Sequence, residues 1–138
     1  MMRRDRARYL PAVLAAALVL PVSACSSGDT DRCAEAFTEA ATAVSGVVSA
    51  EWECSDNFGG GWQRGDVVVS ATTEDEAVEV MDGVLRSIAA AGDLEDTWAT
   101  PQQYANEDGS IVVGANDLGF NGPPTVGEAR EHYGITPG

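Results

Sequence analysis

Two hydrophobic periods take turns along this chain. Over residues 31–44, Cys33, Phe37, Ala40, Ala41 and Val44 recur at helical spacing, and Asp29, Thr30 or Asp31 stands where an N-cap belongs. Over residues 47–54 the period drops to two. Val48, Ala50, Trp52 and Cys54 fall on one face and Ser49, Glu51 and Glu53 on the other, as in a half-buried strand. A glycine-rich loop leads to a second strand at 62–71, centred on Val67, Val68 and Val69. Thr73 and Glu76 match a capping box and open the clearest helix, whose apolar face is Ala77, Val80, Met81, Val84, Leu85 and Ile88. Asp82 precedes Arg86 by one helical turn, the favourable order for an ion pair, and Gly92 is the expected stop. Residues 97–105 read as a third strand, which Pro101 demotes to an edge. Asp108-Gly109 is a hairpin turn, and 110–116 a fourth strand with Ile111, Val113 and Ala115 on one face. Thr125 and Glu128 form a second capping-box pair and open a short helix that ends at Gly134.

The order is therefore α-β-β-α-β-β-α. Two hairpins and two main helices predict an α+β domain, with an antiparallel four-stranded sheet and helices packed on one face. That is ferredoxin-like or a permuted relative. Cys33 and Cys54 both fall on apolar faces, so a disulfide between them would staple helix to strand. The loop it closes spans 22 residues counting both ends, for which chain entropy assigns about 3 kcal/mol. Free buried thiols or a metal site are the alternatives, and two cysteines without a matched histidine pattern make poor zinc ligands.

The N-terminus follows neither folding pattern. Arg3, Arg4, Arg6 and Arg8 surround a single acid, Asp5, and an apolar run of 13 residues follows at 10–22. A membrane-spanning helix needs about 20, so this is the outline of an export signal. It ends Val22-Ser23-Ala24-Cys25, which resembles the lipobox of bacterial lipoproteins, with Val22 in place of the more usual leucine. The resemblance covers residues 1–25. It implies a diacylglyceryl group on the Cys25 thiol and removal of residues 1–24. An ordinary secreted protein, cut at the same bond, is the alternative. Cysteine parity bears on the choice. The chain has three cysteines, and lipid on Cys25 leaves Cys33 and Cys54 as an even pair. Residues 25–30 then serve as a flexible tether and 31–138 as a single domain. Two acyl chains anchor durably where one binds marginally, which places the protein on the outer face of the cytoplasmic membrane.

Charge narrows the partners. Losing residues 1–24 takes four of eight basic residues and one of 22 acidic ones, leaving a net charge of −17. The remaining cations are Arg32, Arg64, Arg86 and Arg130, and lysine is absent. Such a surface repels phosphate backbones, which excludes nucleic acid, and it repels anionic lipid headgroups. Arginine in place of lysine, with abundant Ala, Gly, Val, Asp and Glu, points to a high-GC bacterium and an actinobacterial envelope.

Chemistry is sparse. His132 is the single histidine, and no Gly-x-Ser-x-Gly elbow is present. The stretch 106–109 has the flavour of an ion-binding loop without its twelve-residue ligand pattern, and a hairpin turn explains it better. Trp52, Trp62 and Trp98 could line a sugar-binding surface, although core packing is the commoner use. The turn-rich stretch 116–124 carries Leu118, Phe120 and Asn121, which read either as a partner-recognition loop or as a crossover covering the core. The expectation is a monomeric, non-enzymatic lipoprotein without metal or cofactor, binding a protein or cell-wall partner. An accessory factor for a cation or small ligand is the second reading, and an enzyme the third.

Overall fold

The computed structural model describes residues 28–56 and 61–138. It is an α+β domain built as α1 (Gly28–Thr42), β1 (Val47–Ser55), β2 (Trp62–Val69), α2 (Glu74–Ala90), β3 (Tyr104–Asn106), β4 (Val112–Val113), a 3-10 turn (Ala115–Leu118) and α3 (Val126–Tyr133). The expected order is met in part: a 3-10 turn stands between β4 and α3, and β3 and β4 are only three and two residues long. The sheet runs β1-β2-β3-β4.

The sheet is mixed, which corrects the expectation of a purely antiparallel one. β1–β2 and β3–β4 are antiparallel hairpin pairs, but β2 and β3 run parallel, from Val67↔Tyr104 to Val69↔Asn106. The cause is connectivity. Helix α2 lies between β2 and β3 in the chain and carries it back to the starting end, so the two strands point the same way. They are also direct neighbours, so no strand splits the β-α-β unit as a ferredoxin-like arrangement requires.

One apolar cluster sits between sheet and helices. Phe37 and Ala41 of α1, Met81, Val84, Leu85 and Ile88 of α2 and Val126 of α3 meet Trp52, Val67, Val69 and Tyr104 of the sheet. Glu51, Glu53, Arg64 and Asp66, on the opposite sheet face, are exposed. Trp52 lies between two flat neighbours. The Phe37 ring stacks on it at 4.9 Å and 3°. Across the sheet Trp52 pairs with Gly65, where a Cβ would come within 2.4 Å of the indole. The glycine is there for the ring, since its φ is not left-handed.

Local signals met tertiary demands unevenly. Thr73 caps α2 by accepting the Glu76 N–H at 3.2 Å, but the Glu76 carboxylate reaches back to the Thr72 N–H, one residue beyond the expected partner. That bond and the Thr72 hydroxyl hold the Glu76 carboxyl below its usual range. Thr125 and Glu128 form the full reciprocal box. Helix α1 runs from Gly28 to Thr42, so Asp29, Thr30 and Asp31 fall in its first turn. A bulge between Val47 and Ser49 leaves Val48 exposed and turns Val47 against the core, opposite to strict alternation.

The stop of α2 is tertiary. Gly92 does not take a left-handed conformation; a Cβ there would meet the Gly138 carbonyl at 2.4 Å. Arg130 closes the helix from across the fold. Its Nε donates to the Ala89 carbonyl at 3.0 Å, Nη2 donates to those of Ala91 and Leu94 at 2.6 and 2.8 Å, and Nη1 bonds Asp96. A cation at a helix C-terminus also opposes its macrodipole favourably.

The third and fourth strands are shorter than expected. Residues 97–103 form no ladder with β2, and only an isolated bridge joins Ala99 to Thr125. Beyond Val113 the chain turns into the 3-10 helix, although Val113 and Ala115 are buried as their alternation implied. The hairpin at Asp108-Gly109 is present. Gly109 takes a φ of 74°, and the Ser110 hydroxyl and N–H bond the Asp108 carboxylate, holding its pKa low.

Candidate functional site

Cys33 and Cys54 form a disulfide between the start of α1 and the end of β1. Helical phase sets Cys33 inward beside Phe37, and strand alternation sets Cys54 on the Trp52 side, which is why the two sulfurs meet. Cys25 lies outside the described residues. Over the disulfide opens a cavity of about 440 Å³, lined among others by Arg32, Gln63, Asp93 and Trp98. Trp98 contacts Phe37 at 5.9 Å, and Gln63 accepts the Ala99 N–H at 2.8 Å, so the cavity's far wall is tied to the core.

The stretch carrying Leu118, Phe120 and Asn121 divides. Leu118 and Phe120 are partly buried and pack on the core, while Asn121 is exposed. The Phe120 ring lies 4.2 Å from His132 and 6.2 Å from Tyr133. His132 is exposed and edge-on to Tyr133 at 4.9 Å, with no hydrogen bond to a hydroxyl or carboxylate among the described residues. Beneath it the Tyr133 hydroxyl donates to Asp82 at 2.7 Å, and Asp82 also accepts from Arg86 Nε at 2.8 Å. The Arg86 guanidinium lies 4.3 Å over the Tyr133 ring. Burial works to raise the Asp82 pKa, but the bonds from Arg86 and Tyr133 outweigh it and hold the carboxyl low. Burial first, then the bond to Asp82, pushes the Tyr133 phenol up. This cluster latches α3 onto α2.

Of the three tryptophans, Trp52 is core, Trp98 is half-buried against it, and Trp62 is 44% exposed with the Arg64 guanidinium 5.4 Å over its ring. Beside Trp62 a second opening of about 350 Å³ runs along β2, between residues 62–66 and the stretch 100–103. Sequence reading missed it, because reading 97–105 as a strand fills the space. The one signal was Pro101, which cannot donate to a ladder. Among the described residues no three His, Cys, Asp or Glu side chains gather to hold a metal ion. Nor is any helix there long and apolar enough to cross a membrane.

Comparison with protein-family profiles, curated proteins and solved structures returns no match.

Proposed function

We propose that this chain is an exported lipoprotein, held on the outer face of the cytoplasmic membrane by lipid on Cys25, whose domain binds a protein or cell-wall partner without catalysis. The observation that carries the first half is the Cys33–Cys54 disulfide. Disulfides persist in oxidising compartments, and pairing these two cysteines leaves Cys25 as the single remaining sulfhydryl, set where the lipobox resemblance requires it. The acidic surface supports the same reading, because a domain of this charge has no electrostatic hold on an anionic bilayer and needs a covalent one. The exposed Trp62 and the opening along β2 support a binding role, since exposed aromatics beside a cleft are the usual anchors of recognition.

The test is fractionation of cells expressing the wild type and Cys25→Ser. The wild type is expected in the membrane fraction, with a mass increase for lipid at residue 25. Cys25→Ser is expected in the medium or unprocessed. A cleaved Cys25→Ser protein retained by membranes as well as the wild type would refute lipid anchoring.

A further inference from the structure

β2 is an interior strand with half of one edge open. Toward β1 it is paired along its whole length, from Trp62↔Ser55 to Val69↔Val47. Toward β3 it is paired only over Val67–Val69. Along residues 62–66 alternate residues turn their N–H and C=O groups to that open side. The chain that could have paired there is held elsewhere. The Thr100 N–H and hydroxyl both donate to the Pro124 carbonyl, at 3.1 and 2.6 Å. The Val126 N–H donates to Trp98 at 2.8 Å and the Gly127 N–H to Asp96 at 2.9 Å. Pro101 has no N–H to offer and is fully buried, as is Pro124. Residues 96–101 are thus bonded to the start of α3, and among the described residues the one hydrogen bond between them and β2 runs from the Ala99 N–H to the Gln63 side-chain oxygen.

We infer that this open half-edge receives an extended peptide segment of a protein partner, which adds to the sheet as a strand in line with β3. The inference rests on the partner-binding half of the function proposed above and names its site. Interior strands satisfy both edges, and an unpaired edge templates another strand. Strand addition takes its affinity from main-chain bonds and its specificity from alternate side chains. The opening matches that chemistry. It is walled by Trp62, Arg64 and Asp66 on one side and Thr100, Gln102 and Gln103 on the other. It holds one cation and one anion, so it is neutral in a strongly acidic protein and selects for backbone rather than charge. Five residues at strand rise span about 16 Å, which sets the segment at four to five residues. One side of it would lay an apolar or aromatic side chain on Trp62. A second copy of this chain is a poor occupant. Its longest strand, β1, carries Glu51 and Glu53 and is tied down by the disulfide.

The test pans a phage-displayed heptapeptide library over the full-length purified protein, with the Gln103→Trp variant, which fills the opening, as the counter-selection. Enriched sequences are expected to alternate β-branched or aromatic residues. A synthetic copy should protect backbone amides within 62–66 from hydrogen exchange. N-methylation of its alternate residues, and Gln103→Trp in the protein, should each weaken binding about tenfold or more. Equal binding by the N-methylated peptide, or enrichment undiminished by Gln103→Trp, would overturn strand addition. So would sedimentation with insoluble peptidoglycan in the absence of any enriched peptide, an outcome that leaves the broader binding role standing. None of these readouts depends on Cys25, so failure here and failure of lipid anchoring are separable.

Discussion

Gly65→Ala is the sharpest probe of how this core is built. The new methyl would sit 2.4, 2.6 and 2.8 Å from Trp52 Cε2, Cζ2 and Cδ2. Ordinary contact begins near 3.5 Å. The indole cannot retreat, because Phe37 is stacked on it at 4.9 Å and 3° and is itself fully buried. Over-packing of this kind costs about 1–3 kcal/mol. Against it, alanine in a strand recovers about 0.5–1 kcal/mol of the backbone entropy that glycine loses on folding. The net expectation is a loss of about 1–2 kcal/mol. In urea unfolding followed by far-UV circular dichroism, with a slope of about 1.5 kcal/mol/M, the midpoint should fall by about 1 M. Near-UV dichroism should change with it as the Phe37–Trp52 stack is displaced. A double-mutant cycle isolates the contact. In a Trp52→Phe background the smaller ring leaves room for the methyl, so Gly65→Ala should cost at least about 1 kcal/mol less there, within the usual range for touching residues. Additive behaviour, or a Gly65→Ala protein as stable as the wild type, would refute this account of the glycine.

Other consequences follow from named contacts. Replacing both Cys33 and Cys54 by alanine should cost about 3 kcal/mol by loop entropy, read as a fall of about 2 M in the urea midpoint; a shift that reduction of the wild type fails to reproduce would count against it. Arg130→Lys keeps the charge at the end of α2 but cannot fork to the carbonyls of Ala89, Ala91 and Leu94, and should cost about 2 kcal/mol in the same assay. Retention of wild-type stability would show that charge alone closes the helix. Tyr104 is fully buried, and its hydroxyl has no hydrogen-bond partner among the described residues. Tyr104→Phe should therefore be neutral or stabilising by up to about 1 kcal/mol, and a clear loss would point to a partner for that hydroxyl. Asp82 is held below its ordinary 3.8. Its stabilising effect is complete above the unfolded-state pKa and is lost as pH falls through the lower folded value. Because the pair is partly exposed, with side-chain accessibilities of 31% for Asp82 and 55% for Arg86, the effect is under about 1 kcal/mol. Melting curves of the wild type and Asp82→Asn should differ at pH 7 and converge near pH 2; an unchanged gap would exclude ionisation as the cause.

Short-range chemistry was legible in the residues. The apolar stripe of α2, the Thr125–Glu128 capping box, the Asp82–Arg86 pair and the Asp108-Gly109 turn depend on neighbours within a helical turn or a hairpin, and each is where its spacing placed it. The Cys33–Cys54 disulfide was legible for a related reason, because helical and strand phase together put both sulfurs on inward faces. Where β2 would find its second neighbour was not legible. The parallel pairing with β3 is set by the path of α2 across the sheet. The short β3 is set by bonds from residues 96–100 to Pro124, Val126 and Gly127, more than 20 positions along the chain. The glycines at 65 and 92 answer to a ring and to a carbonyl that sequence distance conceals. Periodicity reports which side of an element is apolar, because burial follows the phase of the backbone. It is silent on which element supplies the covering surface. Here that silence hid the open half-edge along Trp62 and Arg64, which exists only because the tertiary fold draws Thr100 and Pro101 toward α3.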